Sequence, residues 1–187
     1  MSLFGKRILV GSVLALLLSS ISPVSALSIA ELRQAKDLTP KTFANYFSEF
    51  EFKFHEEVQG YDTFLSSGSG DCDDYSTVAA EVLKPRGFTP RLIAVRMKGE
   101  THVICYINEV KGYLDYNCRK DAQKIVPCSP KITEIAKSVA KSFDKDWIAT
   151  YEFSYSATEN VKRLVDRVIP NKNETGILAT SSARLGK

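Results

Sequence analysis

Gly70-Asp71-Cys72-Asp73-Asp74-Tyr75 follows the small-residue run Ser66-Ser67-Gly68-Ser69 and leads into an apolar helical pattern at Val78, Ala79, Val82 and Leu83. The stretch reads as a loop that becomes a helix at Asp71 or Cys72. The thiol then sits in the first turn, where unpaired N–H groups and the helix dipole favour a thiolate. Asp71 suits the cap position, and Asp73 and Asp74 suit a first turn for the same electrostatic reason. If those acids face the sulfur they oppose its ionisation, so His102 must offset them. Lys84-Pro85-Arg86-Gly87 ends the helix: proline does not fit the interior, and glycine accepts the left-handed cap.

Beyond that helix the period changes. Residues 91–98 are rich in Leu, Ile and Val and read as a strand, with a turn at 98–100 and a second strand at 101–107. Asn108-Glu109 reads as a tight turn into a third strand, 110–117, which makes an antiparallel meander. With that turn, position 107 faces 110 and His102 directly opposes Asp115 on one sheet face. A turn at Lys111-Gly112 would lose that pairing. Cys105 has the opposite parity to His102 and is expected on the other face, as core or as half of a disulfide.

Upstream, residues 27–36 suit a short helix capped by Ser28, and Thr39-Pro40 suits a second start. Phe43, Tyr46, Phe47, Phe50 and Phe54 form an apolar stripe on a helix expected to run to about Val58. His55 lies beside that stripe and reads as a boundary histidine, and residues 60–70 read as a loop. Downstream, 119–130 is expected to be a loop, 131–143 a helix and 147–155 a strand. Residues 158–169 suit an amphipathic closing helix carrying Val161, Leu164, Val165 and Val168. Residues 171–187 suggest a flexible tail.

Met1 to Arg7 is short and basic, an apolar run follows, and Val24-Ser25-Ala26 offers small residues for a signal peptidase. Residues 1–26 are expected to be a signal peptide, which points to a periplasmic or secreted protein. The competing reading, a retained membrane anchor, is disfavoured by the shortness of the run, so no stable membrane insertion is expected after cleavage. Removing 26 of the 187 residues leaves 161, enough for one domain, here 27–170. The signal carries Lys6 and Arg7, so the formal charge falls from +3 to +1. With no basic patch interleaved with aromatics, nucleic acid is not an expected partner. The four cysteines, 72, 105, 118 and 128, lack a CxxC pair, and His55 and His102 are far apart in sequence, which argues against zinc. No recognised calcium-loop spacing occurs, and no cofactor is expected. If Cys72 stays free, Cys118–Cys128 is the preferred disulfide, closing a short loop.

A cysteine at a helix start, an imidazole and a carboxylate suit nucleophilic catalysis: thiolate, proton holder and orienting acid. The Cys72 N–H is a candidate oxyanion donor, with Gln59 a chemically able second. Residues 60–117 further resemble the transglutaminase-like superfamily, in particular its bacterial transglutaminase-like cysteine proteinase branch. The matching stretches are Gly70 to Ser76, Leu83 through Gly87-Phe88-Thr89-Pro90-Arg91-Leu92, Thr101-His102-Val103-Ile104, and Gly112-Tyr113-Leu114-Asp115-Tyr116-Asn117. The resemblance implies a papain-like α+β fold, with N-terminal helices packed on an antiparallel sheet. It implies Cys72 as nucleophile, His102 as base and Asp115 as the orienting residue. The implied activity is an exported cysteine-dependent amide hydrolase acting on a protein or peptide. The alternatives are a protein-glutamine acyltransferase that makes crosslinks, and a non-enzymatic binding or assembly protein on the same fold. One departure is the aromatic lead-in before the cysteine, reduced here to Tyr61 and Phe64.

Overall fold

The meander read from residues 91–117 lies at the centre of the molecule. The computed structural model describes residues 27–170; the expected signal peptide, 1–26, and the expected tail, 171–187, lie outside the described residues. β3 (Pro90–Met97) and β4 (Glu100–Ile107) pair antiparallel, and both carry near-continuous apolar runs because both faces are covered. Val103, Cys105 and Ile107 face one core and Ile104 and Tyr106 face a second. Around this pair the sheet is completed by β5 (Gly112–Leu114), β6 (Ile125–Pro127), β7 (Trp147–Ser156) and β8 (Val161–Val168). The strand order is β6-β5-β4-β3-β7-β8, every pairing antiparallel.

The first core is roofed by α1 (Ile29–Gln34), α2 (Pro40–Asn45), α3 (Tyr61–Ser67) and α4 (Cys72–Leu83). The second is covered by α5 (Ile132–Ser142), through Ile135, Ala136, Val139 and Ala140. The architecture is thus α+β, with N-terminal helices on one face of an antiparallel sheet and a later helix on the other. Ser28 and Thr39 cap α1 and α2, with Pro40 at the start of α2, as the sequence suggests. Among the described residues no helix is long and apolar enough to cross a membrane.

Five expected elements differ. The stripe helix through residue 58 does not form: α2 stops at Asn45, and after a series of turns the chain enters the short strand β1 (Glu51–Phe52), which pairs with β2 (Ser69–Gly70). Its backbone groups are taken by other partners. Buried Arg119 donates Nε to the Phe47 carbonyl at 3.0 Å and Nη2 to the Phe50 carbonyl. The Glu51 and Lys53 N–H groups go to the Gly68 and Gly70 carbonyls at 2.9 and 2.8 Å. The aromatic cluster forms nonetheless. The Phe47 ring lies 4.7 Å from Phe43, 4.8 Å from Phe50 and 5.1 Å from Tyr75, while Phe54, read as part of the same stripe, is 71% exposed.

The loop expected at 60–70 contains α3, anchored by buried Phe64 and Leu65 and stopped at Gly68, whose φ of 64° is left-handed. The closing helix expected at 158–169 is instead β8. The open edge of β7 needs backbone partners, and β8 supplies them. A register shift between Glu152 and Phe153 accommodates apolar spacing that reads as helical. The loop expected at 119–130 also contributes β6, and the third strand of the meander is shorter than its expected span.

Phe47→Ala should cost about 3–5 kcal/mol by urea denaturation, the usual penalty for emptying a buried aromatic site. Phe54→Ala should stay within about 0.5 kcal/mol. Comparable losses at both positions would restore the single helical stripe.

Candidate active site

The start of α4 is built from two buried carboxylates. Asp71 is the N-cap and forms a capping box with Asp74. Asp71 accepts the Asp73 N–H on Oδ1 at 3.2 Å and the His55 N–H on Oδ2 at 2.9 Å. Asp74 accepts the Gln59 N–H on Oδ1 at 2.7 Å, and on Oδ2 the Asp71 N–H at 3.1 Å and Gln59 Nε2 at 2.8 Å. Residues 55–59 are thereby tied to the helix start. Gly70 is required by the same packing: a Cβ there would lie 2.5 Å from the Phe64 ring and 2.6 Å from Asp74 Oδ2. Cys72 follows as the first helical residue, where its N–H has no intrahelical acceptor.

One residue of β4 docks this helix. The Val103 N–H donates to Cys72 Sγ at 3.4 Å, and one turn along α4 the Ser76 hydroxyl donates to the Val103 carbonyl at 3.2 Å. Pairing of β5 with β4 stops at Leu114, opposite Cys105, which leaves β4 open at this level. His102 Nε2 and Asp115 Oδ1 lie 2.9 Å apart, both residues buried, and the same Asp115 oxygen accepts the Asn117 N–H at 2.8 Å. With Nε2 held by Asp115, Nδ1 is the nitrogen left for Cys72. The structure therefore brings Cys72, His102 and Asp115 together.

The register differs from the expected one. The connection is not a two-residue turn at Asn108-Glu109: it is a 3-10 turn over Asn108–Val110, followed by Lys111 at φ 48°. Ile107 pairs with Gly112 and Cys105 with Leu114, so His102 and Asp115 are diagonal rather than directly opposed. The shift is two residues, which preserves the face, and diagonal neighbours remain within reach of long side chains.

Burial lowers the proton affinity of His102, but hydrogen bonds to Asp115 and Cys72, with the charges of both, outweigh it and raise its pKa from 6.5 to about 10. The imidazole is then charged at neutral pH, the state that pairs with a thiolate. The Phe143 ring, just past α5, lies 4.8 Å from the imidazole. The other cysteines are less suited. Burial pushes the Cys105 thiol far up, the Cys118 thiol up to about 12 and the Cys128 thiol up. All four thiols are unpaired, so the preferred Cys118–Cys128 disulfide is not present. β6 runs back along β5 and carries Cys128 level with Lys111, whereas Cys118 follows the other end of β5.

Cys72 and His102 open into a cleft of about 980 Å³. Phe52, Phe54 and Leu164 stand at its walls, 63%, 71% and 64% exposed. Gln59 does not face this cleft: its amide is used by Asp74 and by the Ser69 carbonyl at 3.1 Å, so it is not the second oxyanion donor. Tyr75 is core, ringed by Phe43, Phe47 and Tyr116. His55 lines the cleft with Nδ1 3.7 Å from Asp74 Oδ2. His55, Asp71 and Asp74 each offer one ligand atom, all within 4.8 Å of one another, and are where a cation would find donors. All four carboxylate oxygens of that group already accept N–H groups.

No family model matches the chain, and no curated protein matches it at significance. The site therefore rests on its own geometry. Sequence reading did not find Ser76, Phe143, Lys162 or Leu164 as site neighbours. The last two were hidden because their strand has helical spacing.

A histidine whose pKa rises on folding adds stability that is full below its unfolded pKa and lost as pH climbs through the folded value. The stability gap between wild type and His102→Gln should therefore be widest at or below pH 6.5 and shrink as pH passes about 10. Chemical denaturation at several pH values checks this; a gap independent of pH contradicts the charged imidazole.

Proposed function

We propose that this chain is an exported cysteine-dependent amide hydrolase, peptidase-like, on a papain-like fold of the transglutaminase-like type. The observation that carries the reading is the buried His102–Asp115 pair beside a cysteine at the first position of α4, all at an open cleft. A cysteine-bearing helix docked on the strand that carries the histidine also supports the finer fold assignment.

The chemistry follows from those positions. The Cys72 thiolate attacks the acyl carbon, forming a C–S bond. The Cys72 N–H, at a helix start, suits the developing oxyanion. The C–N bond breaks as the His102 imidazolium gives its proton to the leaving amine. Neutral His102 then takes a proton from water, whose oxygen attacks the thioester. The C–S bond breaks, releasing an acid and restoring the thiolate–imidazolium pair. Asp115 holds the imidazole orientation throughout. An amine in place of water would give a new amide, the crosslinking alternative. The third reading, a binding or assembly protein on this fold, requires no thiol.

A small electrophile such as iodoacetamide should label Cys72 ahead of Cys105, Cys118 and Cys128. Asp115→Asn should slow any turnover by at least about 100-fold, within the range for loss of an orienting acid. Cys72→Ala should abolish turnover with the fold retained. Mass spectrometry of a glutamine-containing peptide pool incubated with methylamine should show free acids. Methylamides would favour transfer; full biological function of Cys72→Ala would favour the binding protein and sink the hydrolase.

A further inference from the structure

We infer that Lys162 is a positioning residue of the thiol site: from β8 its ammonium reaches the Asp73 carboxylate at the cleft and cancels a negative charge that would otherwise oppose the Cys72 thiolate. This rests on the reading of Cys72 as nucleophile.

Asp73 directly follows Cys72 and lines the same cleft. It differs from its neighbours Asp71 and Asp74, whose carboxylate oxygens accept N–H groups. Asp73 Oδ2 takes Lys162 Nζ at 2.5 Å, while Oδ1 is buried without a hydrogen-bond partner. Burial first, then contact with Asp71, pushes the Asp73 pKa up to about 6, and Lys162 pulls it down. Lys162 is the cation that favours the charged acid, and the ammonium is its compensation. An unscreened carboxylate one residue from the sulfur would raise the cost of the thiolate.

The surrounding charges leave this task to Lys162. Asp71 at the start of α4 and Tyr155 of β7 also face Asp73, and neither is a cation. Along the cleft stand His55 and Glu56 after β1, and Glu100 of β4, which is already paired with Lys145. His102 of β4 is engaged by Asp115. Among the described residues lining the cleft, Lys162 is the sole lysine or arginine. The same bond ties the β7–β8 hairpin to the helical layer, with Asn160 Nδ2 to Glu57 Oε2 at 3.4 Å as a weaker second tie.

The test is the pH profile of iodoacetamide alkylation at Cys72, followed by peptide mass spectrometry, which needs no substrate. Lys162→Gln should raise the apparent thiol pKa by about half a unit over the pH range in which Asp73 is ionised, seen there as about threefold slower alkylation at pH below the thiol pKa. Lys162→Arg should restore the wild-type profile. Asp73→Asn in the Lys162→Gln background should restore it as well, because the opposing charge is gone. A depressed wild-type thiol pKa that Lys162→Gln leaves unmoved overturns this inference alone. So does a shift that Asp73→Asn fails to rescue, since that would mark a merely structural tie. An ordinary wild-type thiol pKa near 8.5, indifferent to His102→Gln, overturns the inference and the proposed function together.

Discussion

The burial of two carboxylates at the start of α4 is the constraint on which the rest of the structure depends. Asp71 and Asp74 are almost wholly removed from solvent, and an unpaired buried carboxylate is too costly to persist ionised. Here the compensation is five N–H donors, drawn from the helix start, from His55 and from Gln59. Satisfying them fixes the path of residues 55–59 and the first turn of α4 at once. It also demands Gly70, since Phe64 and Asp74 occupy the space a side chain would need. Cys72 is placed by default, as the first of the two residues between an N-cap and its capping-box partner.

That placement sets an electrostatic problem, because three acids flank one thiol. Asp71 and Asp74 spend their charge on N–H groups, and Asp73 is met by Lys162. The Val103 N–H adds a donor to the sulfur, and His102, held by Asp115, supplies the counter-charge. Arg119 acts at a further remove. Its guanidinium, 3.8 Å from the Tyr116 ring, binds the carbonyls of Phe47, Phe50 and Tyr116. It thus ties the turn that follows Asp115 to the aromatic cluster beneath α4. The thiol comes from the helical layer and the imidazole and the acid from the sheet, and these contacts hold the two layers in register.

Local signals carried α4, β3, β4 and α5, whose periodicity agrees with the structure, as do the cap and stop of α4. They failed where a distant partner took over the backbone. The Phe43–Phe54 spacing is helical, but Arg119, some seventy positions away, claims the Phe47 and Phe50 carbonyls. The spacing of Val161, Leu164, Val165 and Val168 is helical too, yet an open sheet edge and one bulge make it a strand. The turn after β4 was misread by two residues. His102 and Asp115 still share a face because an even slip does not exchange faces. Lys162 was illegible as a site residue for want of the β8 assignment, and nothing in the sequence marks Arg119.

The central claim is that Cys72 and His102 form a thiolate–imidazolium pair anchored by Asp115. It is tested most directly by following the His102 ring nitrogens by ¹⁵N NMR across pH, in wild type and in Cys72→Ser. The account predicts a doubly protonated ring well above pH 7 in wild type, losing its proton near pH 10, and a lower pKa once the sulfur is replaced. A neutral His102 at pH 7.5, unchanged by Cys72→Ser, would contradict it.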